Sequence, residues 1–160
     1  MRFLLADDNR NDCVLIRQAL LAEFRGAQFA VLDAGKDLAK EMAKGCDALL
    51  VEAHTNWAEG LTLLRQARKP DAYVPALMLT EQANVQLAVT ALKAGFNDFL
   101  LKAELSRLPA ALRACLERAK TQRDEDKQEL LKRERQERLR AEAAIQRLSA
   151  IQKVTDAALS

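Results

Sequence analysis

Short apolar runs alternate with helix-patterned stretches from the N-terminus to Lys102. Arg2–Ala6 is a short apolar run and predicts a first strand. Asn11–Phe24 carries Val14, Leu15, Leu20 and Leu21 at helical spacing, and Gly26 closes it. Gln28–Leu32 predicts a second strand, and Lys36–Ala43 a short helix ended by Gly45. Asp47–Val51 is apolar after its first residue, as a strand buried on both faces should be. Ala58–Ala67 is helical, with Leu61, Leu64 and Ala67 on one side. Pro75–Leu79 predicts the fourth strand, Val85–Ala94 a helix stopped by Gly95, and Asp98–Leu101 the last strand.

Repeats of this length predict an α/β fold: a doubly wound, five-stranded parallel sheet with helices on both faces. The flavodoxin-like order, 2-1-3-4-5, is the natural one for five strands. In such a sheet the carboxyl ends of the strands share one edge, where sites are built. Asp7 and Asp8 follow the first strand, Glu52 the third, Thr80 the fourth and Lys102 the last. This set suits phosphoryl transfer: acidic residues to hold a divalent cation, a hydroxyl and an ammonium for phosphoryl oxygens, and a carboxylate nucleophile. The residue at the accepting place, Glu52, is one methylene longer than aspartate.

Beyond about Glu104 the pattern changes. No Gly or Pro follows Pro109, and nearly every residue is a good helix former. One helix from Pro109 to the end would span roughly 75 Å at 1.5 Å per residue. Its first part, with Leu105, Leu108, Leu112, Cys115, Leu116 and Ala119, has enough apolar surface to pack on the sheet. Thr121–Arg140 is mostly charged. Ala141, Ala144, Leu148, Ile151, Thr155 and Ala158 then recur at alternating three and four spacing, a heptad seam. The expected domains are therefore residues 1–120 and a helical extension, 121–160. A polar lone helix of that length buries too little to be stable by itself, so pairing with a second copy is expected; a solvated tail is the alternative. The seam is imperfect: Arg123 and Asp126 fall on it, and a one-turn phase slip is needed near Glu137.

Composition narrows the function. The 25 basic and 23 acidic residues nearly cancel, and no basic stripe is interleaved with aromatics, so nucleic acid is not expected as a partner. No apolar run approaches the roughly 20 residues of a membrane span, and Asp7-Asp8 interrupts the only apolar stretch near the N-terminus, so neither a membrane partner nor a signal peptide is expected. Cys13, Cys46 and Cys115 lack metal-ligand spacing and read as reduced core thiols of a cytoplasmic protein.

Four segments together carry a resemblance: Asp7-Asp8-Asn9; Asp47 to Glu52 with Glu59-Gly60-Leu61 following; Leu77-Met78-Leu79-Thr80-Glu81; and Ala91 to Lys102 with Gly95 and Phe99 inside it. In order and spacing they resemble the receiver domain of bacterial response regulators, over about Met1 to Lys120. The resemblance implies that Asp7 and Asp8 are the acidic pair, with Asp8 the direct metal ligand. It implies that Thr80 is the switch hydroxyl, Phe99 the switch aromatic without the usual tyrosine hydroxyl, and Lys102 the phosphate-binding lysine. His54 falls where the family supplies a backbone carbonyl to the metal. Two positions depart from the pattern. Glu52 stands at the phosphorylated aspartate, and Ala103 replaces the proline that often follows the lysine, so the loop there should take a different path.

The reading that follows is a two-component-type signalling module and not an enzyme. Its receiver is not phosphorylated, and Glu52, paired with Lys102 and Thr80, mimics phosphate or fills the pocket. It needs no cofactor and binds magnesium weakly at most. It forms a homodimer through its last helix, with Leu148, Ile151, Thr155 and Ala158 on the seam. The helix relays signal to a downstream sensor or output domain, because Ile151–Ser160 resembles linkers before such domains and the chain reads as an N-terminal piece. The alternatives are a working phosphoacceptor served by a histidine kinase and magnesium, and an inert dimerisation scaffold. Trp57, near the third strand, is a contact point or covers the core.

Overall fold

The protein is described by a computed structural model that covers residues 1–34, 36–56 and 58–160. Trp57 lies outside the described residues. The strands are β1 (Arg2–Ala6), β2 (Gln28–Leu32), β3 (Ala48–Glu52), β4 (Ala76–Thr80) and β5 (Asp98–Leu101). The helices are α1 (Arg10–Leu21), α2 (Leu38–Ala43), α3 (Gly60–Arg68), α4 (Val85–Ala94) and α5 (Leu108–Leu159), with a 3-10 helix over Lys102–Arg107. All strands are parallel, in the order β2-β1-β3-β4-β5. This is the expected flavodoxin-like sheet.

The period of two along each strand sorts the core into two layers. Leu4, Ala6, Leu49, Val51, Ala76 and Met78 face α2, α3 and α4. Phe3, Leu5, Leu50, Leu77 and Leu79 face α1 and the start of α5. The buried stripe of α1 is Cys13, Ile16 and Leu20, whereas Val14, Leu15 and Leu21 are exposed. On α5 only Leu108, Leu112 and Cys115 are fully buried. The chain divides into two compact units, Met1–Lys120 and Thr121–Ser160. Among the described residues, no helix is long and apolar enough to cross a membrane.

Element ends follow local chemistry. Asn9 caps α1 by accepting from the amides of Asn11 and Asp12, so the helix starts at Arg10, one residue early. Asp37 caps α2 and delays it to Leu38. The helix expected from Ala58 starts at Gly60, because Thr55 and Ala58 bond each other and His54 bridges to Glu59. Both β3 and β4 run one residue past the expected end, since Glu52 pairs with Leu79 and Thr80 with Leu101. Gly60 also packs against β3: an added Cβ would come within 3.1 Å of the Glu52 carbonyl oxygen and of Val51 Cγ1.

One arginine ties two loops together. Arg68 donates to the carbonyls of Gly95 at 2.6 Å and Val74 at 3.3 Å, and to Asn97 Oδ1 at 2.9 Å. Gly95, at φ 111°, ends α4 in the left-handed region and leaves room for the guanidinium. Arg68→Ala strands these acceptors, so it is expected to lower unfolding free energy by about 2–3 kcal/mol in urea titrations.

Candidate functional site

The edge at the carboxyl ends of β1, β3, β4 and β5 holds a cavity of about 290 Å³. Asp7, Asp8, Glu52, His54, Thr80 and Lys102 all line it, together with Asn9, Asp12, Glu81, Gln82 and Leu87. Phe99 does not line it; it is half-buried and packs, like Leu87, against the α2–α4 side of the core.

Lys102 is the centre of the site. Its Nζ lies 2.7 Å from Asp7 Oδ2, 2.7 Å from Asp12 Oδ2 and 2.7 Å from Glu52 Oε2. Three carboxylates thus share one ammonium. The Asp12 contact also meets the angles of a hydrogen bond. The Asp7 contact is an ion pair only, and Asp7 Oδ2 takes no hydrogen bond. Side-chain exposure is 9% for Lys102 and 5% for Asp7, so solvent screens this pair little. Burial by itself lowers the Lys102 pKa, but the close contacts with Asp12, Asp7 and Glu52 and the charge of Asp7 outweigh it and hold the ammonium above the ordinary lysine range. A raised folded-state value means that its stabilisation is complete below the unfolded lysine pKa of about 10.4 and is lost only as pH rises through the higher folded value. Alkaline titration to about pH 10 therefore leaves this lock intact.

Several other oxygens of the site accept from backbone amides. Asp7 Oδ1 accepts from the Asn9 amide at 2.8 Å, and Asp8 Oδ2 from the Asn56 amide. Glu52 Oε1 accepts from the Ala53 amide at 2.9 Å. Thr80, 3% exposed, accepts from the Gln82 amide at 3.3 Å. The expected Glu52–Thr80 pairing is absent from the described contacts, because both carboxylate oxygens of Glu52 are turned to Lys102 and to the backbone. His54 Nδ1 lies 2.9 Å from Glu59 Oε2, at the surface. No cis peptide bond occurs among the described residues, and the chain leaves Lys102 directly into the 3-10 helix.

In this arrangement the acidic side chains are engaged by Lys102 and by backbone amides. Three carboxylates converge on an ammonium, Asp8 is turned to a backbone amide, and among the described residues no group of three or more His, Cys, Asp or Glu is placed to hold a metal ion. Asp12 is the residue that sequence reasoning missed. It lies in the first turn of a helix, where an acidic residue reads as complementing the helix dipole. The available signal was its place one turn beyond Asp7-Asp8, at the same sheet edge as Lys102.

Residues 3–113 match the family described as response regulator receiver domain. The chain belongs to that family. This receiver is 34% identical over 121 residues to the transcriptional regulatory protein TrcR of Mycobacterium tuberculosis, covering 74% of this chain and 46% of TrcR. It is 33% identical over 122 residues to the response regulator MprA of Mycobacterium leprae, covering 75% of this chain and 53% of MprA. It thus spans about half the length of these curated relatives. Among solved structures, a CheY-like receiver domain protein from Methanospirillum hungatei matches 76% of this receiver and 97% of its own chain, with a TM-score of 0.64 and 25% identity. In the receiver the cysteines are free thiols; Cys13 and Cys115 are buried, and burial pushes Cys46 up to about 12.

Proposed function

We propose that this receiver is a regulatory signalling module that works without being phosphorylated, with Glu52 as the resident partner of Lys102. The observation that carries the reading is the 2.7 Å contact between Glu52 Oε2 and Lys102 Nζ. A phosphoryl group on a shorter aspartate would seek the same ammonium. Thr80 bonds Gln82 and not Glu52, which favours a filled, ion-paired pocket over full mimicry of phosphate. Thr121–Ser160 then serves as the dimer helix: Leu148 and Ile151 are 67% and 62% exposed, surface that a second copy would bury. Thr155 and Ala158 extend the seam, and the helix relays the state of the pair to a sensor or output domain. The near-neutral charge supports protein rather than nucleic acid partners for these residues, although TrcR is a transcriptional regulatory protein over its greater length. Free thiols, two of the three buried, support a cytoplasmic setting.

The second reading is a phosphoacceptor receiver served by a histidine kinase. Asp7, Asp8, Thr80 and Lys102 in one cavity favour it. Intact mass after incubation with acetyl phosphate and magnesium chloride separates the two. In a transfer, a carboxylate oxygen attacks phosphorus, the acyl phosphate P–O bond breaks and acetate leaves. The expected result is no added mass on the parent and addition on Glu52→Asp. Phosphate on the parent sinks the first reading and establishes the second.

A further inference from the structure

Asp12 is the third carboxylate on Lys102, and nothing in the family pattern read from the sequence gives it a role. Its placement is built, not incidental. The Asn9 side chain caps α1 by accepting from the amides of Asn11, at 3.0 Å, and of Asp12 itself, at 3.3 Å, which fixes the turn that carries Asp12. Asp12 Oδ2 then accepts from Lys102 Nζ at 2.7 Å, ninety residues away in sequence. The carboxylate is 17% exposed and the ammonium 9%.

We infer that Asp12 is a positioning residue that holds Lys102 on the β1–α1 side of the pocket and slows phosphoryl transfer independently of Glu52. The inference rests on the reading of Glu52 given above. Shortening residue 52 to aspartate draws one carboxylate back from the ammonium, but Asp12 keeps its hydrogen bond and Asp7 its ion pair. A phosphoryl oxygen must then share Lys102 with two carboxylates, and the incoming dianion meets one more negative charge than an acidic pair alone would present. A charge-assisted hydrogen bond must be weakened each time Lys102 turns to a phosphoryl group. Such a bond corresponds to about a tenfold change in rate.

The test compares labelling by acetyl phosphate in magnesium chloride for Glu52→Asp alone and combined with Asp12→Asn, Asp12→Ala or Asp12→Glu. Combining with Asn or Ala is expected to speed labelling at least about tenfold over Glu52→Asp. Combining with Glu, which restores the charge, returns the rate toward that of Glu52→Asp. A second readout needs no phosphate. The Lys102 ammonium resonance in lysine ¹⁵N spectra is expected to be sharp in the parent, and shifted and broadened by Asp12→Asn alone. Equal rates for Glu52→Asp and its Asn and Ala combinations overturn the inference. So does an absence of labelling in all of them, or an unchanged lysine resonance. Labelling of the parent overturns the Glu52 reading instead, and the rate of Asp12→Asn relative to the parent then decides the role of Asp12 by the same tenfold criterion.

Discussion

Lys102→Met is expected to lower unfolding free energy by about 3–5 kcal/mol, read as a reduced midpoint in urea with an unchanged slope. Methionine keeps the length and the apolar stem but removes the one cation that three carboxylates share. Asp7, 5% exposed, and Glu52, 15% exposed, are then left as like charges with little water to screen them. Breaking a buried ion pair from one side costs more than the pair contributes, because the stranded partner keeps its desolvation penalty. Glu52→Gln removes one of three negative partners and keeps an acceptor for the Ala53 amide, so its effect should stay within about 1 kcal/mol. A loss below about 1 kcal/mol for Lys102→Met would show that solvent screens the cluster and that Lys102 is no lock.

The second large effect is on assembly. The chain is expected to sediment as a dimer, and Leu148→Asp with Ile151→Asp to convert it to a monomer at the same concentration. Ile145, about one turn before Leu148, and Leu159, about two turns beyond Ile151, are 65% and 82% exposed and add to the apolar surface of the helix. Each Leu or Ile buried in a pair contributes about 1.5–3 kcal/mol, and the double substitution removes four such side chains from a dimer. The dissociation constant should therefore rise by at least about a thousandfold. Circular dichroism should show lost helix in the same variant, since a lone polar helix frays. A parent chain that sediments as a monomer at high micromolar concentration would leave residues 121–160 as a solvated tail.

The sequence by itself determined the architecture. Runs such as Phe3–Ala6 and Ala48–Val51 are apolar at every position, as suits a short strand covered on both faces, and helix-patterned stretches between such strands point to a parallel sheet. From that sheet followed the meeting of Asp7, Asp8, Glu52, Thr80 and Lys102 at one edge, because every parallel strand ends on the same side. Which face of each helix is buried was less legible: α1 carries apolar residues around much of its circumference, and packing alone selected Cys13, Ile16 and Leu20 over Val14, Leu15 and Leu21. Only the tertiary structure decided how the oxygens in the pocket are shared. Glu52 has reach enough for either Thr80 or Lys102, and the second oxygen's bond to the Ala53 amide settles its direction. Asp12 acquires its partner through a contact spanning ninety residues, made by the cap on α1 and the end of β5 together. Spacing along a chain specifies which elements form and where they end; competition for a buried cation is resolved only by distances in three dimensions.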